Sequence, residues 1–494
     1  MFSILLALLA CTPFQQSSQP NIIVILADDL GYGDVRGNQP SSPIPTPSLD
    51  AVAKAGVRFS DAHSGSAVCT PTRYGLLTGR YCWRSRLKRG VLGGYSGHLI
   101  EAERTTVADV LKSAGYHTAC IGKWHLGMDM PRKKNVMDWD GEIKNGPNSV
   151  GFDYFWGISA SLDFPPYVWI ENQSFTAPGD QHFKGGGFPG YLRSGEIAAD
   201  FDHRKALDQI TERAMAYIEE QAASSSPFFL YLPLTAPHKP VMPAERFVGK
   251  SGVGLYGDFV MQTDWVVGQV DAALKKHDLL EHTLLIVSSD NGSFMYRLDA
   301  PESPQRAKEK TGDDGPALLD HVAEPKIQGY LSSTHRANGD LRGTKADIWE
   351  GGHRVPLLVR WPGQVEAGSH VQNTVSLVDV LATCAGAANA SIPDDAGEDS
   401  FSWLPLLQQS GDWQRPPVIQ HSANGTFAIR VGKWKFIDGK GAGGRGKLTL
   451  TDADLPVQLY DMDADLGERR NLAGEKPELV AELTAKLRQI QSGQ

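Results

Sequence analysis

Asn21-Ile22-Ile23-Val24-Ile25-Leu26 is an unbroken apolar run that stops just before Asp28-Asp29. A strand with one face in water alternates apolar and polar residues. One buried on both faces does not, so this run predicts a strand of a parallel sheet covered by helices. The segments that follow alternate accordingly. Helices are expected over residues 47–55, from Cys69 onward, and from a Thr105-Thr106 cap to about Ala114. Residues 117–121 read as a short strand ending in Gly122-Lys123-Trp124-His125. An amphipathic helix near residues 204–221 leads into Phe228-Phe229-Leu230-Tyr231-Leu232, which ends in Ala236-Pro237-His238. A helix over 257–276 precedes the strand 283–287, which ends in Ser288-Ser289-Asp290-Asn291-Gly292. The fold class is α/β, a large mixed, mostly parallel sheet flanked by helices.

Polar residues recur just past the strand ends, where open α/β sheets bind ligands. Taken singly, an Asp-Asp pair after a strand is a cap or a solvated loop, and Asp-Asn-Gly is a common turn. Drawn from four strands toward one rim, Asp28, Asp29, Lys123, His125, His238, Asp290 and Asn291 point to a site. Asp28, Asp29, Asp290 and Asn291 form an all-oxygen set without Cys or His, which suits a hard cation, Ca²⁺ or Mg²⁺.

Cys69-Thr70-Pro71-Thr72-Arg73 places a lone cysteine where a helix begins, with Pro71 suited to a first turn and Arg73 on the same face one turn on. Unsatisfied N–H groups and the helix dipole make that a position for a nucleophile handling an anion. Lys123, His125, His238 and Arg73 add cationic or proton-transferring groups. Lys345 joins them from the glycine-punctuated stretch 341–356, with Arg342 a competing cation nearby; His353 and Arg354 read as structural. A metal and several positive groups around a nucleophile are a device for cleaving anionic esters.

These motifs together resemble the type I, formylglycine-dependent sulfatases of the alkaline phosphatase superfamily. The likeness includes Ile25-Leu26-Ala27-Asp28-Asp29-Leu30-Gly31-Tyr32-Gly33-Asp34, Cys69-Thr70-Pro71-Thr72-Arg73, Leu77-Thr78-Gly79-Arg80 and Gly122-Lys123-Trp124-His125-Leu126-Gly127. It extends to Ala236-Pro237-His238, Ser289-Asp290-Asn291-Gly292, the Lys345 block and Leu459-Tyr460-Asp461-Met462 with Glu468 and Asn471-Leu472. Thr72 stands where the family more often has Ser or Ala, and Cys69 marks the cysteine type. The resemblance implies conversion of Cys69 to Cα-formylglycine (3-oxoalanine) by a formylglycine-generating enzyme, with the hydrated gem-diol as nucleophile. It implies one Ca²⁺ held by Asp28, Asp29, Asp290 and Asn291 and by residue 69. Asp290 would take the first diol proton; Arg73 and Lys123 would orient diol and sulfate. His125 would be the base that expels sulfate. His238 and Lys345 would contact sulfate, one of them protonating the leaving oxygen.

The chain has 494 residues, 41% of them hydrophobic and 21% charged, as in an ordinary globular protein. A net charge of −9 argues against nucleic-acid binding, so any positive pocket is local. The domain reading is a leader over 1–19, a catalytic domain over 20–395 and a smaller C-terminal α+β domain over 396–494. The last would hold short strands near 427–430, 433–437 and 457–460 and a helix over 475–490, with a flexible glycine-rich tip over 439–446. A helix at 375–385 is assigned to the main domain. Met1 to Ala10 is too short to span a bilayer and looks like an export signal. Leu8-Leu9-Ala10-Cys11 resembles a lipobox that would lipidate Cys11, so the expected location is the periplasm, the outer membrane or the exterior. Cys82, Cys120 and Cys384 fit no zinc spacing and read as buried thiols, with one disulfide open.

The expected substrate is a sulfated oligo- or polysaccharide, with 6-O-sulfated galactose or N-acetylgalactosamine favoured. Specificity is sought in residues 161–169, where Asp163 is a substrate-binding candidate, and in Tyr95 to His98 and His335-Arg336. Trp124 reads as packing. The alternatives are a phosphonate monoester or phosphodiester hydrolase of the same superfamily, and a non-catalytic sulfated-glycan-binding protein.

Overall fold

A computed structural model describes residues 19–186, 191–295, 335–411, 413–444 and 455–493. Residues 1–18 of the leader, Cys11 among them, and residues 445–446 of the tip lie outside the described residues. All eight residues of the Asn21–Asp28 strand are buried, as its unbroken apolar run requires. It lies in a ten-stranded sheet in the order Ser369–Val371, Val57–Phe59, Leu357–Arg360, Thr283–Ser289, Asn21–Asp28, Phe228–Pro237, His117–Lys123, Tyr154–Ile158, Ile170–Glu171 and Ser174–Phe175. The five strands from Thr283–Ser289 to Tyr154–Ile158 run parallel. Antiparallel pairs flank them on both sides. Parallel strands present their carboxyl ends to one rim, and those ends carry the polar motifs.

The helices form two groups around this sheet. Leu255–Lys276 packs against both Pro47–Ala55 and Ala206–Gln221, and Cys69–Thr78, Val107–Ser113 and Val380–Ala387 make a second set. Thr106 caps the third helix through a reciprocal pair with Asp109, as the sequence predicted. The expected helix at 375–385 is divided: Val375–Ser376 pairs with Ala62–His63 as strand, a 3₁₀ turn follows, and the helix proper begins at Val380. Ser376 and Asp379 form a capping box there, so the helical stretch starts only after Ser376. No described helix is long and apolar enough to cross a membrane.

A second, antiparallel sheet joins Val418–His421, Phe427–Val431, Trp434–Ile437 and Gln458–Asp461. The helix Pro477–Ser492 covers it through Leu483 and Leu487, which share a core with Ile429 and Phe436. Its junction with the main body is a buried ionic network. Lys435 Nζ lies 3.0 Å from Glu350 Oε1, 2.7 Å from Glu468 Oε1 and 3.1 Å from His353 Nε2. His353 Nδ1 meets His63 Nδ1 at 3.0 Å, and His63 Nε2 meets Asp61 Oδ1 at 2.8 Å. Arg354 bridges Asp61 and Glu350 at 3.0 and 3.1 Å, so His353 and Arg354 are structural, as read.

Candidate active site

Four parallel strands deliver the predicted residues to one place. Asp28 ends one strand and Asp29 follows it; Lys123 ends another, with His125 two residues on. His238 follows the strand ending at Pro237, and Asp290 and Asn291 follow Ser289. Cys69 opens the helix Cys69–Thr78, preceded by extended Val68, and Gly79 in the left-handed region closes it. Asp29, His125 and Ala346, all beside the site, are held at φ of 66°, 58° and 82°. Non-glycine residues in that region carry strain that surrounding packing must hold, and such strain gathers at functional sites.

The contacts interlock. Lys123 Nζ donates to Asp28 Oδ2 at 2.7 Å and to Ser161 Oγ at 3.3 Å. Arg73 grips Asp290 Oδ2 through two nitrogens at 3.1 and 2.6 Å and donates to the Lys123 carbonyl. Lys345 Nζ reaches Asp29 Oδ1 at 2.5 Å and Cys69 Sγ at 3.1 Å. Asp28 Oδ1 lies 3.6 Å from the same sulfur. Asn291 Nδ2 donates to Asp29 Oδ1 at 2.6 Å, and His238 Nε2 stands 3.6 Å from Asp29 Oδ2. Ser161 Oγ touches His238 Nδ1 at 3.2 Å. His125 Nε2 faces the Leu92 carbonyl at 2.8 Å. A carbonyl only accepts, so Nε2 carries the hydrogen and Nδ1, buried and without a hydrogen-bond partner among the described residues, is an acceptor.

Electrostatics follow from burial. Burial, with help from Lys123 and Arg73, pulls His125 well below the usual imidazole range, so it is neutral at pH 7. Burial and Lys345 do the same to His238. Asp28 is drawn up by burial, but Lys123, His238 and Arg73 outweigh this and hold it well below the carboxylate range. Asp29 is pushed up to about 7 by burial against the pull of Lys345, with Asp28 and Asp290 adding repulsion. Burial and Asp28 also raise Asp290. The Cys69 thiol is pushed up to about 12, by burial first and Asp290 second. An unmodified Cys69 is therefore a thiol at neutral pH, not a thiolate.

Three carboxylates here face three cations, Arg73, Lys123 and Lys345, yet the carboxylates are not saturated. Asp29 Oδ2 and Asn291 Oδ1 are buried and accept no hydrogen bond among the described residues. Ligand atoms of Asp28, Asp29, Cys69 and His238 lie within 4.8 Å of one another. Buried carboxylate and amide oxygens with acceptor capacity left over are donors of the kind a hard divalent cation takes.

A pocket of about 140 Å³ opens onto Cys69, His125, His238 and Lys345. Of the proposed specificity segment, Ser161, Asp163 and Phe164 line it, whereas Tyr167, Val168 and Trp169 belong to the core. Trp124 is buried, with Nε1 on the Gly127 carbonyl, a packing residue as expected. His335 is buried against Asp34 at 2.6 Å, and Arg336 pairs with exposed Asp340, so neither reaches the pocket wall. Tyr95 and His98 bond Glu196 and Asp129 instead. Arg342, the competing cation, sits over Trp349 and donates to the Glu468 carbonyl, away from the pocket. Arg193, Lys239 and Phe294 line the pocket unforeseen. Lys239 and Phe294 adjoin motifs already recognised; Arg193 carries no local signal. Cys69, Cys82, Cys120 and Cys384 are all free thiols.

Comparison with known proteins agrees with this geometry. The sulfatase family model matches residues 20–390, and the model of the N-sulphoglucosamine sulphohydrolase C-terminal region matches residues 344–493. An N-acetylgalactosamine-6-O-sulfatase of Bacteroides thetaiotaomicron is 34% identical, covering 97% of this chain and 94% of its own. Human arylsulfatase A is 32% identical over 99% and 90% of the two chains. A structure solved for the metabolism of multiple glycosaminoglycans by Bacteroides thetaiotaomicron superimposes with a TM-score of 0.80 at 32% identity, covering 96% of this chain and all of that one. This chain belongs to the sulfatase family, within the alkaline phosphatase superfamily, and is a hydrolase of sulfate esters.

Proposed function

We propose that the protein removes sulfate from a sulfated saccharide, with Cys69 carried as Cα-formylglycine and one Ca²⁺ held by Asp28, Asp29, Asp290, Asn291 and residue 69. The observation that carries this is the position of Cys69: the first residue of a helix, 3.1 Å from the Lys345 ammonium, in a site whose Asp29 Oδ2 and Asn291 Oδ1 accept no hydrogen bond among the described residues. The hydrated aldehyde supplies two hydroxyls on one carbon, and the cation supplies positive charge for the sulfate oxygens.

The chain's own residues divide the remaining work. Asp290, fixed by Arg73 and by the Asp29 amide at 3.2 Å, accepts the first hydroxyl proton. His125, locked through Nε2 on Leu92, offers Nδ1 as the base for the second. Lys123 and Arg73 orient the nucleophile and the sulfate. Lys345 and His238 place positive charge or a proton at the sulfate and the departing alcohol oxygen. Asp163, on the pocket wall, binds the sugar.

The names of the relatives support the choice of substrate, an N-acetylgalactosamine-6-O-sulfatase above all. The favoured substrates are 6-O-sulfated N-acetylgalactosamine and galactose. Modification of Cys69 requires a formylglycine-generating enzyme in the host. Export, with or without a lipid at Cys11, suits an extracellular glycan. The decisive experiment measures inorganic sulfate release from a panel of defined sulfated saccharides beside aryl phosphate and phosphonate esters, with peptide mass spectrometry across Cys69. Sulfate release from 6-O-sulfated sugars by protein carrying the aldehyde is expected. A preference for phosphorus esters, saccharide binding without hydrolysis by the oxidised protein, or full activity with an intact thiol would overturn the proposal.

A further inference from the structure

We propose that Asp163 and Arg193 form a fork that reads a free hydroxyl on the sulfated sugar, so that the enzyme selects polyol sulfates by a group remote from the sulfur. This rests on the saccharide-sulfatase reading above and adds to it a second residue and the chemistry of the group recognised. Asp163 is buried on the wall of the pocket that holds Cys69, its side chain 2% exposed. One carboxylate oxygen, Oδ2, is taken by Arg193. The other, Oδ1, is buried and has no hydrogen-bond partner among the described residues.

The fork is rigid. Arg193 donates from its guanidinium to the Asp163 carbonyl at 3.1 Å and from its backbone to the same oxygen at 3.3 Å. Tyr167 Oη links the two segments, donating to the Arg193 carbonyl at 2.7 Å and standing 3.2 Å from the Asp163 carbonyl. The guanidinium lies 3.8 Å over the Phe164 ring, which faces the ring of His125 at 6.0 Å. Stacking on one side and Asp163 on the other set the plane of the guanidinium at the pocket wall, where its half-exposed side chain keeps N–H groups open to a ligand.

The pairing of an unsatisfied acceptor with fixed donors defines its ligand. An anion would be repelled by Oδ1, and an amide N–H can only donate. A hydroxyl both donates, to Oδ1, and accepts, from Arg193, so it matches the fork. Leaving a buried carboxylate oxygen unpaired is unfavourable, and a site built around a substrate hydroxyl rejects an analogue lacking it by up to about 10⁴-fold. A simple aryl sulfate has no such group to offer.

The test is a cycle of substrate and protein changes, read as kcat/KM for sulfate release. The substrates are N-acetylgalactosamine 6-sulfate, its monodeoxy analogues and 4-nitrophenyl sulfate; the proteins are wild type, Asp163→Asn and Arg193→Met. Wild type is expected to lose about 100-fold on one monodeoxy analogue. Each variant should lose about 100-fold on the parent sugar but discriminate that analogue by less than about 3-fold. The saccharide-to-aryl ratio should fall at least about 10-fold in each variant. Wild type that treats every deoxy analogue like its parent, or variants that lose sugar and aryl substrates equally, would overturn the fork while leaving the sulfatase reading intact. Wild type that releases sulfate from no saccharide sinks that reading and the fork with it. If a variant does not fold, discrimination by wild type among the deoxy analogues still decides.

Discussion

Two buried clusters in this molecule are built from residue types that can hold a metal, and they do opposite things. Asp28, Asp29, Cys69 and His238 form one; His63, Glu350 and His353 form the other. In the second, Lys435 sits where a cation would, 3.0 Å from Glu350 and 3.1 Å from His353, and Asp61 and Arg354 answer the rest. In the first, Lys345 pairs with one oxygen of Asp29, while Asp29 Oδ2 and, beside the cluster, Asn291 Oδ1 and His125 Nδ1 have no hydrogen-bond partner among the described residues. Composition does not separate a site from a strut. Unspent hydrogen-bonding capacity gathered beside an open pocket does, because each such buried group calls for an explanation and a ligand in the pocket supplies one.

The sharpest way to break this contrast is to remove the group around which the open cluster is arranged. Cys69→Ala is expected to lower sulfate release by a factor on the order of 10⁴ or more, since a nucleophile lost from a cooperating set takes most of the catalysis with it. Circular dichroism should show the fold retained. Residual activity within about tenfold of wild type would mean that the nucleophile lies elsewhere.

The closed cluster should answer to stability instead. Lys435→Met leaves Glu350 and Glu468 facing one another in the interior, and removing one partner of a buried ionic group costs about 3–5 kcal/mol. Denaturant unfolding at pH 7 measures it. Adding Glu468→Gln to the same chain should recover part of the loss, because it relieves the repulsion that the ammonium held in check. A loss under about 1 kcal/mol would show that the network is not a support and would collapse the distinction drawn here.

The open cluster was legible in sequence and the closed one was not. Asp28-Asp29, Lys123, His125, His238 and Asp290-Asn291 each follow an apolar run, and a parallel sheet sends such ends to one rim, so local reading plus one rule of topology assembled them. Lys435, by contrast, lies on an ordinary short strand and meets Glu350 across 85 residues of chain. Arg193 likewise meets Asp163 across 30. Neither pair has a period or motif to betray it. The divided helix at 375–385 shows the opposite limit: the Ser376–Asp379 cap was in the sequence, but an apolar continuation at Leu381 and Ala385 masked it. His335 was misplaced for a similar reason. A histidine beside an arginine reads as surface chemistry until the fold buries it against Asp34.

A cation titration offers the gentlest probe of the same contrast, and it needs no turnover. If unpaired oxygens are what make the first cluster a site, Ca²⁺ should stabilise the folded chain by RT ln(1 + [Ca²⁺]/Kd), about 2.7 kcal/mol at a hundred times Kd. A chelator should reverse the rise in melting temperature. Asp29→Asn takes a buried carboxylate partner from Lys345, so this variant should melt somewhat lower than wild type in chelator and, beyond that, lose most of the calcium shift. Zn²⁺, which prefers nitrogen and sulfur, tests the other cluster. Lys435 occupies that position with an ammonium, so zinc should produce no stabilisation that His353→Ala removes. A calcium shift untouched by Asp29→Asn, or a zinc shift abolished by His353→Ala, would mean that residue type governs after all. The partnerless oxygens of Asp29 and Asn291 would then have no bearing on where the ion sits.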